Sequence, residues 1–446
     1  MNALTSILLT DLYQLTMLQG YLEKGMHDRA VFEFSIRNLP DRRGFFVAAG
    51  LESVLNFLEH LHLTGEERDY LIDSGRFSRR LIDYLEGFTF TGDVDALPEG
   101  TICFPGEPII RISAPLPEAQ LIESRLINLI HFQTLIASKA ARCTLAAGNR
   151  AHLIDFGLRR AHGAEAGIFA ARSSYIAGFA GTATVMAEPL YGIPIFGTMA
   201  HSFIEAQESE TEAFITFAET NPGNVTLLID TYDTCTGAKK VVEAAALLSR
   251  KGIGVDTVRL DSGDLAGLSR QVRTILDRGG LGDVRIFVSG NMDEYSIKDF
   301  LDRGAPIDGF GVGTKLDTSD DAPYFDCAYK LMEYAGIPRL KKSEGKATLP
   351  GAKQVFREFD GNTMVRDVLT LASDVRAGSP LVKTCMEKGC RTEEKMKTED
   401  VRSYTLNQLE TLPPHMMALA TTPPYPVVIS ENLMALRTRV EKNLPG

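Results

Sequence analysis

The sequence has no uninterrupted apolar run approaching the roughly 20 residues that cross a bilayer, which excludes a helical membrane span. Its first residues, Met1 to Leu9, are briefly apolar but lack a basic region and run at once into Asp11, so no signal peptide is expected. Low-complexity tracts are absent, and so is any basic excess, the formal net charge being -11. Phosphate-backbone binders carry surplus positive charge, so a nucleic-acid partner is not expected. Small anionic substrates stay open, because a few clustered Arg and Lys reverse the field locally. The six cysteines, at 103, 143, 235, 327, 385 and 390, form no regular framework, as expected of free thiols in a reducing compartment. Only Cys385 and Cys390 are closely spaced, and no further ligand at zinc-site spacing accompanies them. The eight histidines include no HExxH pair. A cytoplasmic protein is the expectation.

What is present is the composition of a globular enzyme: 446 residues, 44% hydrophobic and 24% charged, too long for one ordinary domain. The first part mixes helix and strand. Thr10 caps a predicted helix from Asp11 to Lys24. In Ala30 to Arg37, Val31, Glu33 and Ser35 alternate with Phe32, Phe34 and Ile36 as in a half-buried strand. From Arg150 the chain repeats strand, loop and helix. Strands are predicted at 152–155, 193–196, 225–229, 257–260, 284–288 and 307–311, each short and apolar as in a parallel sheet covered on both faces. All six end in polar, charged or glycine-containing segments. A barrel gathers such ends into one ring, whereas an open doubly wound sheet uses only those at its switch point. The expected fold is therefore α/β: an irregular TIM-like α/β barrel over 121–344, plus an α+β domain in which 1–120 is completed by the return of 345–446. Strands at Val355 to Phe359 and Pro426 to Ser430 are predicted for that return.

The strand ends carry the candidate chemistry. Gly311-Val312-Gly313-Thr314 closes the series, and glycines after a late barrel strand let backbone N–H groups approach a phosphate while Thr314 adds a hydroxyl. A tight turn is the plainer reading. Ser289-Gly290-Asn291, one strand earlier, has the same character. Arg159 and Arg160 directly follow a buried strand, and their planar forks suit carboxylate or phosphate, unless they pair with Glu165 or Glu188. In Arg259-Leu260-Asp261-Ser262-Gly263-Asp264, Asp261 suits Mg²⁺ or ribose hydroxyls, while Asp264 suits a helix cap. Asp230 and Asp233 admit the same two readings. His201, in Gly197-Thr198-Met199-Ala200-His201-Ser202, stands at a strand end about to enter a helix. A lone histidine is usually structural. A helix start disfavours the imidazolium, however, leaving a neutral ring able to attack a phosphoryl group. Acid–base work is its other reading.

Taken in order, seven segments resemble nicotinate phosphoribosyltransferase, of the type II phosphoribosyltransferase family. They are Thr10-Asp11-Leu12-Tyr13-Gln14-Leu15-Thr16-Met17, Gly157-Leu158-Arg159-Arg160-Ala161, Gly197 to Ser202, Ile229-Asp230-Thr231-Tyr232, Val258 to Leu265, Gly311 to Thr314, and Thr348 to Lys353. The resemblance implies formation of nicotinate mononucleotide and pyrophosphate from nicotinate and phosphoribosyl pyrophosphate, with ATP hydrolysed alongside, in NAD salvage. It implies a transient phosphohistidine at His201, nicotinate contacts from Tyr13, Arg159, Thr198 and Arg259, and phosphoribosyl contact from Thr314. Arg160, Ser289, Gly290, Gly311, Gly313 and Lys353 complete the expected phosphate set, Lys353 beside Lys341 and Lys342 as neutralisers of the leaving group. ATP and Mg²⁺ are implied, the metal at Asp261, and a homodimer is implied because Tyr13 is expected to serve the neighbouring subunit's site. Ser202 stands where many bacterial relatives have Glu, which leaves phosphohistidine turnover without an assigned helper. Some relatives carry a metal-binding C-terminal module that Cys385 and Cys390 do not reproduce. Two other readings remain: nicotinamide phosphoribosyltransferase, whose uncharged substrate needs no arginine pair, and a non-catalytic, ligand-sensing barrel.

Overall fold

The structure, a computed structural model, describes residues 5–342, 348–420 and 423–444, so the first four residues of the apolar N-terminal segment lie outside it. Two compact units are present, one of residues 1–138 with 324–446 and the other of 139–323. In the first unit a seven-stranded sheet has the strand Arg29–Ile36 near its centre, paired antiparallel with Ile110–Pro115 on one side and Cys327–Tyr334 on the other. Phe32, Phe34 and Ile36 are buried as their alternation predicts, but Glu33, at 1% exposed, is buried too. It is neutralised by Lys353, whose Nζ lies 2.7 Å away. The strand is covered on both faces, and an ion pair takes the place of solvent. Because Cys327–Tyr334 pairs with Arg29–Ile36, it belongs to this unit, and the expected barrel limit of 344 is too late. The four-stranded second sheet contains Lys353–Asp360 and Val427–Ile429, where the return strands are predicted.

The second unit is built on six parallel strands: β1 (His152–Asp155), β2 (Gly181–Thr182), β3 (Thr226–Leu228), β4 (Thr257–Leu260), β5 (Arg285–Val288) and β6 (Gly309–Val312). Their order is β2-β1-β6-β5-β4-β3, so the first and last long strands are neighbours, Val312 opposite Asp155. The sheet curls into a half-barrel. Backbone pairing does not complete the expected irregular TIM-like barrel, and the break falls at the predicted strand 193–196. That segment makes one bridge, Thr182 to Ile195. Pro194 at its centre has no N–H to donate to a ladder. Towards β3 the link is made by side chains instead: the Thr198 hydroxyl donates to Thr226 O at 2.7 Å, and Asn224 Nδ2 to Gly197 O at 3.2 Å. β2, two small residues long, has too little pattern to be read from sequence. Among the described residues no helix is long and apolar enough to cross a membrane.

Candidate active site

Two cavities occupy the inside of the curl, and strand periodicity explains their walls. On β4, Val258 and Leu260 are fully buried, while Thr257 and Arg259 face inward: Thr257 lines a cavity of about 250 Å³ and Arg259 one of about 400 Å³. The smaller cavity is bounded by residues that begin the strands, including His152, Arg285 and Gly309. The larger lies at the strand ends and brings together Arg159, Thr198, His201, Arg259 and Asp261 with Phe156 and Phe196.

Arg259 is the best-fixed group in the larger cavity. Its Nε donates to Ser289 Oγ at 2.8 Å, its Nη2 to Asp261 Oδ1 at 2.8 Å, and its Cζ lies 5.4 Å from the Phe156 ring centroid. Charge-assisted bonds plus a ring under the guanidinium hold one orientation. Asp261 also accepts the Ser289 hydroxyl. Burial opposes its ionisation, but Ser289, the Arg259 charge and His201 outweigh that and hold the carboxyl below the ordinary carboxylate range. Behind it, Asp230 Oδ2 accepts both the Asp261 N–H and the Ser262 hydroxyl at 2.8 Å, while the buried Asp230 Oδ1 has no hydrogen-bond partner. His201 opens the helix His201–Glu205 with Nδ1 3.1 Å from Thr231 Oγ1. Arg159 and Arg160 sit on the turn Leu158–Arg160, both exposed, and neither makes an ion pair among the described residues. The arrangement offers a locked cation over an aromatic face, a free cation, an oriented imidazole and two adjacent carboxylates.

Known proteins carry the same design from end to end. Models of the nicotinate phosphoribosyltransferase N-terminal domain, family and C-terminal domain match residues 8–131, 151–335 and 374–437. Nicotinate phosphoribosyltransferase pncB2 of Mycobacterium tuberculosis is 45% identical over 97% of this chain and 93% of its own. The chain belongs to the nicotinate phosphoribosyltransferase family. The Bacillus subtilis nicotinate phosphoribosyltransferase is 34% identical over 98% of this chain and 96% of its own. The crystal structure of human nicotinic acid phosphoribosyltransferase superposes with a TM-score of 0.87 at 28% identity, covering 97% of this chain and 99% of that one.

Against the residues expected from the family pattern, the structure is selective. Ser289 is 3% exposed, its hydroxyl occupied by Asp261, and it is a tie between that carboxylate and Arg259 rather than an open phosphate donor. Gly290 has φ +95, and a Cβ there would lie 2.2 Å from Asp261 O, so glycine is required for the close approach of two loops. Gly311 lies inside β6, where a Cβ would meet Phe156 and Phe287 at 2.7 and 3.1 Å; it makes room for aromatic packing. Gly313 precedes the helical turn Thr314–Asp317, and Thr314 is exposed at its start. Arg160 does not line the larger cavity, and the Thr198 hydroxyl already donates to Thr226. Asp264 caps a helix as expected, and Asp233, which admitted two readings, caps one as well. In the other unit, Tyr13 is 47% exposed on the helix Leu12–Glu23. Lys353 is 4% exposed, bound to Glu33 and to the carbonyls of Leu349 and Gly351, so its expected phosphate role gives way to a structural one.

Sequence reasoning missed Phe156 and Thr231. Thr231 lies inside the segment Ile229 to Tyr232 and Phe156 directly precedes Gly157, each beside charged residues that carry the more obvious chemistry. Among the described residues no group of three or more His, Cys, Asp or Glu could hold a metal, Cys385 and Cys390 included.

Proposed function

We propose that this chain makes nicotinate mononucleotide and pyrophosphate from nicotinate and phosphoribosyl pyrophosphate, in NAD salvage, with ATP hydrolysed through a phosphorylated His201. The observation that carries the reading is Arg259, held over Phe156 and tied to Ser289 and Asp261 in a cavity that also takes Arg159. A flat heteroaromatic carboxylate needs a guanidinium for its charge and an apolar face for its ring. Two arginines around one cavity favour the acid over the uncharged amide.

Displacement at the ribose C1 builds positive charge on the sugar and negative charge on the departing pyrophosphate, so the site's work is positioning and charge compensation. Arg159, exposed and without an ion pair among the described residues, is the clamp for the carboxylate or the leaving group. Thr314 donates at the phosphoribosyl end. Asp261 and Asp230 would hold Mg²⁺; two carboxylates with one unpartnered oxygen suit a cation that takes its remaining ligands from substrate phosphates and water. That ion would supply neutralisation of the pyrophosphate oxygens. His201, oriented by Thr231, attacks the terminal phosphorus of ATP; an N–P bond forms as the bond to the ADP oxygen breaks, and water later releases phosphate. A homodimer in which Tyr13 completes the neighbouring site belongs to the same reading.

Steady-state turnover of nicotinate and nicotinamide by the purified protein, with phosphoribosyl pyrophosphate and ATP, is the test. Preferred use of nicotinamide, or no mononucleotide from either, defeats the proposal.

A further inference from the structure

Behind the site lie two carboxyls that the proposed chemistry does not use. Asp155, the last residue of β1, and Asp317, the last of the turn Thr314–Asp317 after β6, are both 0% exposed. The two side chains face each other across Gly157, where a Cβ would fall 2.1 Å from Asp317 Cγ, and each carboxyl acts electrostatically on the other. Asp155 also accepts from Gly157 N–H and from the Thr182 hydroxyl, each at 2.7 Å. Both oxygens of Asp317 are buried and accept from no donor among the described residues.

Among the described residues no cation is found to act on this pair. The groups acting on it are Thr182 of β2, the Gly157 N–H and the two carboxyls themselves. Lys315, two residues from Asp317, is bound to Asp293 at 2.6 Å. Arg172, on the helix Ala164–Ile176 that packs against this turn, lies over the Tyr191 ring at 5.7 Å. Two buried carboxylates in contact without a counter-charge cannot both be ionised. Since Asp155 already accepts two bonds, Asp317 is the donor. Burial pushes both carboxyls up, and the neighbouring Asp155 charge pushes Asp317 well above the ordinary carboxylate range.

The pair stands where two loops meet. Phe156 N–H reaches Val312 O at 2.8 Å, and Asp317 N–H turns back to Gly313 O at 3.1 Å. A Cβ on Gly157 would fall 2.1 Å from Asp317 Cγ, so the turn carrying Arg159 rests directly on this carboxyl. We propose that Asp155 and Asp317 share one proton and form a positioning lock, holding the turn that presents Arg159 against the turn that presents Thr314. Neither residue touches substrate. The lock rests on the reading of Arg159 and Thr314 as substrate ligands.

Loss of the shared proton in alkali sets two buried carboxylates against each other and displaces the turn. The experiment is nicotinate kinetics from neutral to alkaline pH on the whole enzyme and on Asp317→Asn, Asp317→Leu and Arg159→Gln, with infrared spectra in the protonated-carboxyl region. In the wild type KM rises about tenfold with kcat little changed, the signature of lost binding without lost chemistry. Asp317→Asn keeps a neutral donor, so its KM stays low and flat. Asp317→Leu fills the space without a donor, and its KM is high at every pH. At neutral pH the difference spectrum of wild type minus Asp317→Asn shows a protonated-carboxyl band, the contribution of Glu107 being common to both. An alkaline rise persisting in Asp317→Asn, wild-type KM in Asp317→Leu, or absence of the band overturns the lock. If Arg159→Gln leaves KM unchanged, the substrate reading falls instead, while the infrared band still decides the shared proton.

Discussion

Gly157 lies against the buried carboxyl of Asp317 so closely that a Cβ would fall 2.1 Å from its Cγ. The side chain it would strike is short and fully enclosed, so it cannot swing away. Gly157→Ala should therefore cost about 1–3 kcal/mol, as overpacking of a close-packed site does. Urea unfolding of the variant measures this. An unchanged midpoint would mean that the turn relaxes freely and that the contact is not a constraint.

Arg259 is argued to serve as a fork rather than as a charge. Lysine at 259 keeps the charge but cannot bond Ser289 and Asp261 together while lying flat on Phe156. Arg259→Lys should raise KM for nicotinate by about ten- to a hundredfold, the loss of one to two good charge-assisted contacts. The preference for nicotinate over nicotinamide should fall with it. Competition kinetics with both bases reads out the change, and an unaltered preference would remove Arg259 from acid recognition.

His201→Ala should abolish ATP hydrolysis and acid-labile phosphorylation while leaving some ATP-independent transfer, because the clamps for base and sugar stay in place. Peptide mass analysis after incubation with ATP locates the phosphate. ATP hydrolysis at the wild-type rate in the variant would rule out the relay.

The larger cavity was legible in the sequence because the strand ends announce themselves. Arg159, Thr198, His201 and Asp261 each follow a short apolar run and Arg259 lies near the end of one, and a curled parallel sheet brings such ends together. Partners set by neighbouring strands were not legible. That Ser289 is spent on Asp261, or that Thr231 meets His201, depends on the register between β4 and β5 and on a loop thirty residues away, which no local pattern encodes. The break in the half-barrel was legible in principle from Pro194. Lys353 misled for a physical reason. A lysine after a glycine-rich turn looks like an anion clamp unless one knows that Glu33, 320 positions away, is buried opposite it.

That ion pair yields its own test. Lys353→Met leaves Glu33 buried with only the longer, 4.0 Å contact to Arg111 as counter-charge, which should cost up to about 3–5 kcal/mol. Adding Glu33→Gln should recover part of the loss. The folded fraction should keep its KM for phosphoribosyl pyrophosphate, since the lysine's three donors are directed at Glu33, Leu349 and Gly351. Thermal melts and kinetics on both variants separate the structural role from a phosphate role, and a selective rise in that KM would restore the latter.

A second buried carboxyl pair sets the pH dependence of stability. Glu107 and Asp367 are both 0% exposed beside Arg357, whose guanidinium grips Asp367 at 2.9 and 2.6 Å. One cation serves two acids. Burial, then the Asp367 charge, push Glu107 well above its ordinary pKa, so it stays protonated in the folded protein. A carboxyl raised on folding contributes stability that is complete below its unfolded pKa and is lost progressively as pH rises towards the folded value, because the unfolded chain ionises first. Each pKa unit of the displacement is worth about 1.4 kcal/mol. Glu107→Gln keeps an oxygen to accept the Phe104 N–H, a bond of 2.9 Å in the wild type, and has no proton to lose. The variant should therefore melt at or near the wild-type temperature in mild acid and above it at neutral and alkaline pH, with the gap widening as pH rises. Calorimetric melts at matched ionic strength across that range measure the gap. A gap that stays constant with pH would mean that Glu107 is ionised when folded and that Arg357 neutralises both acids.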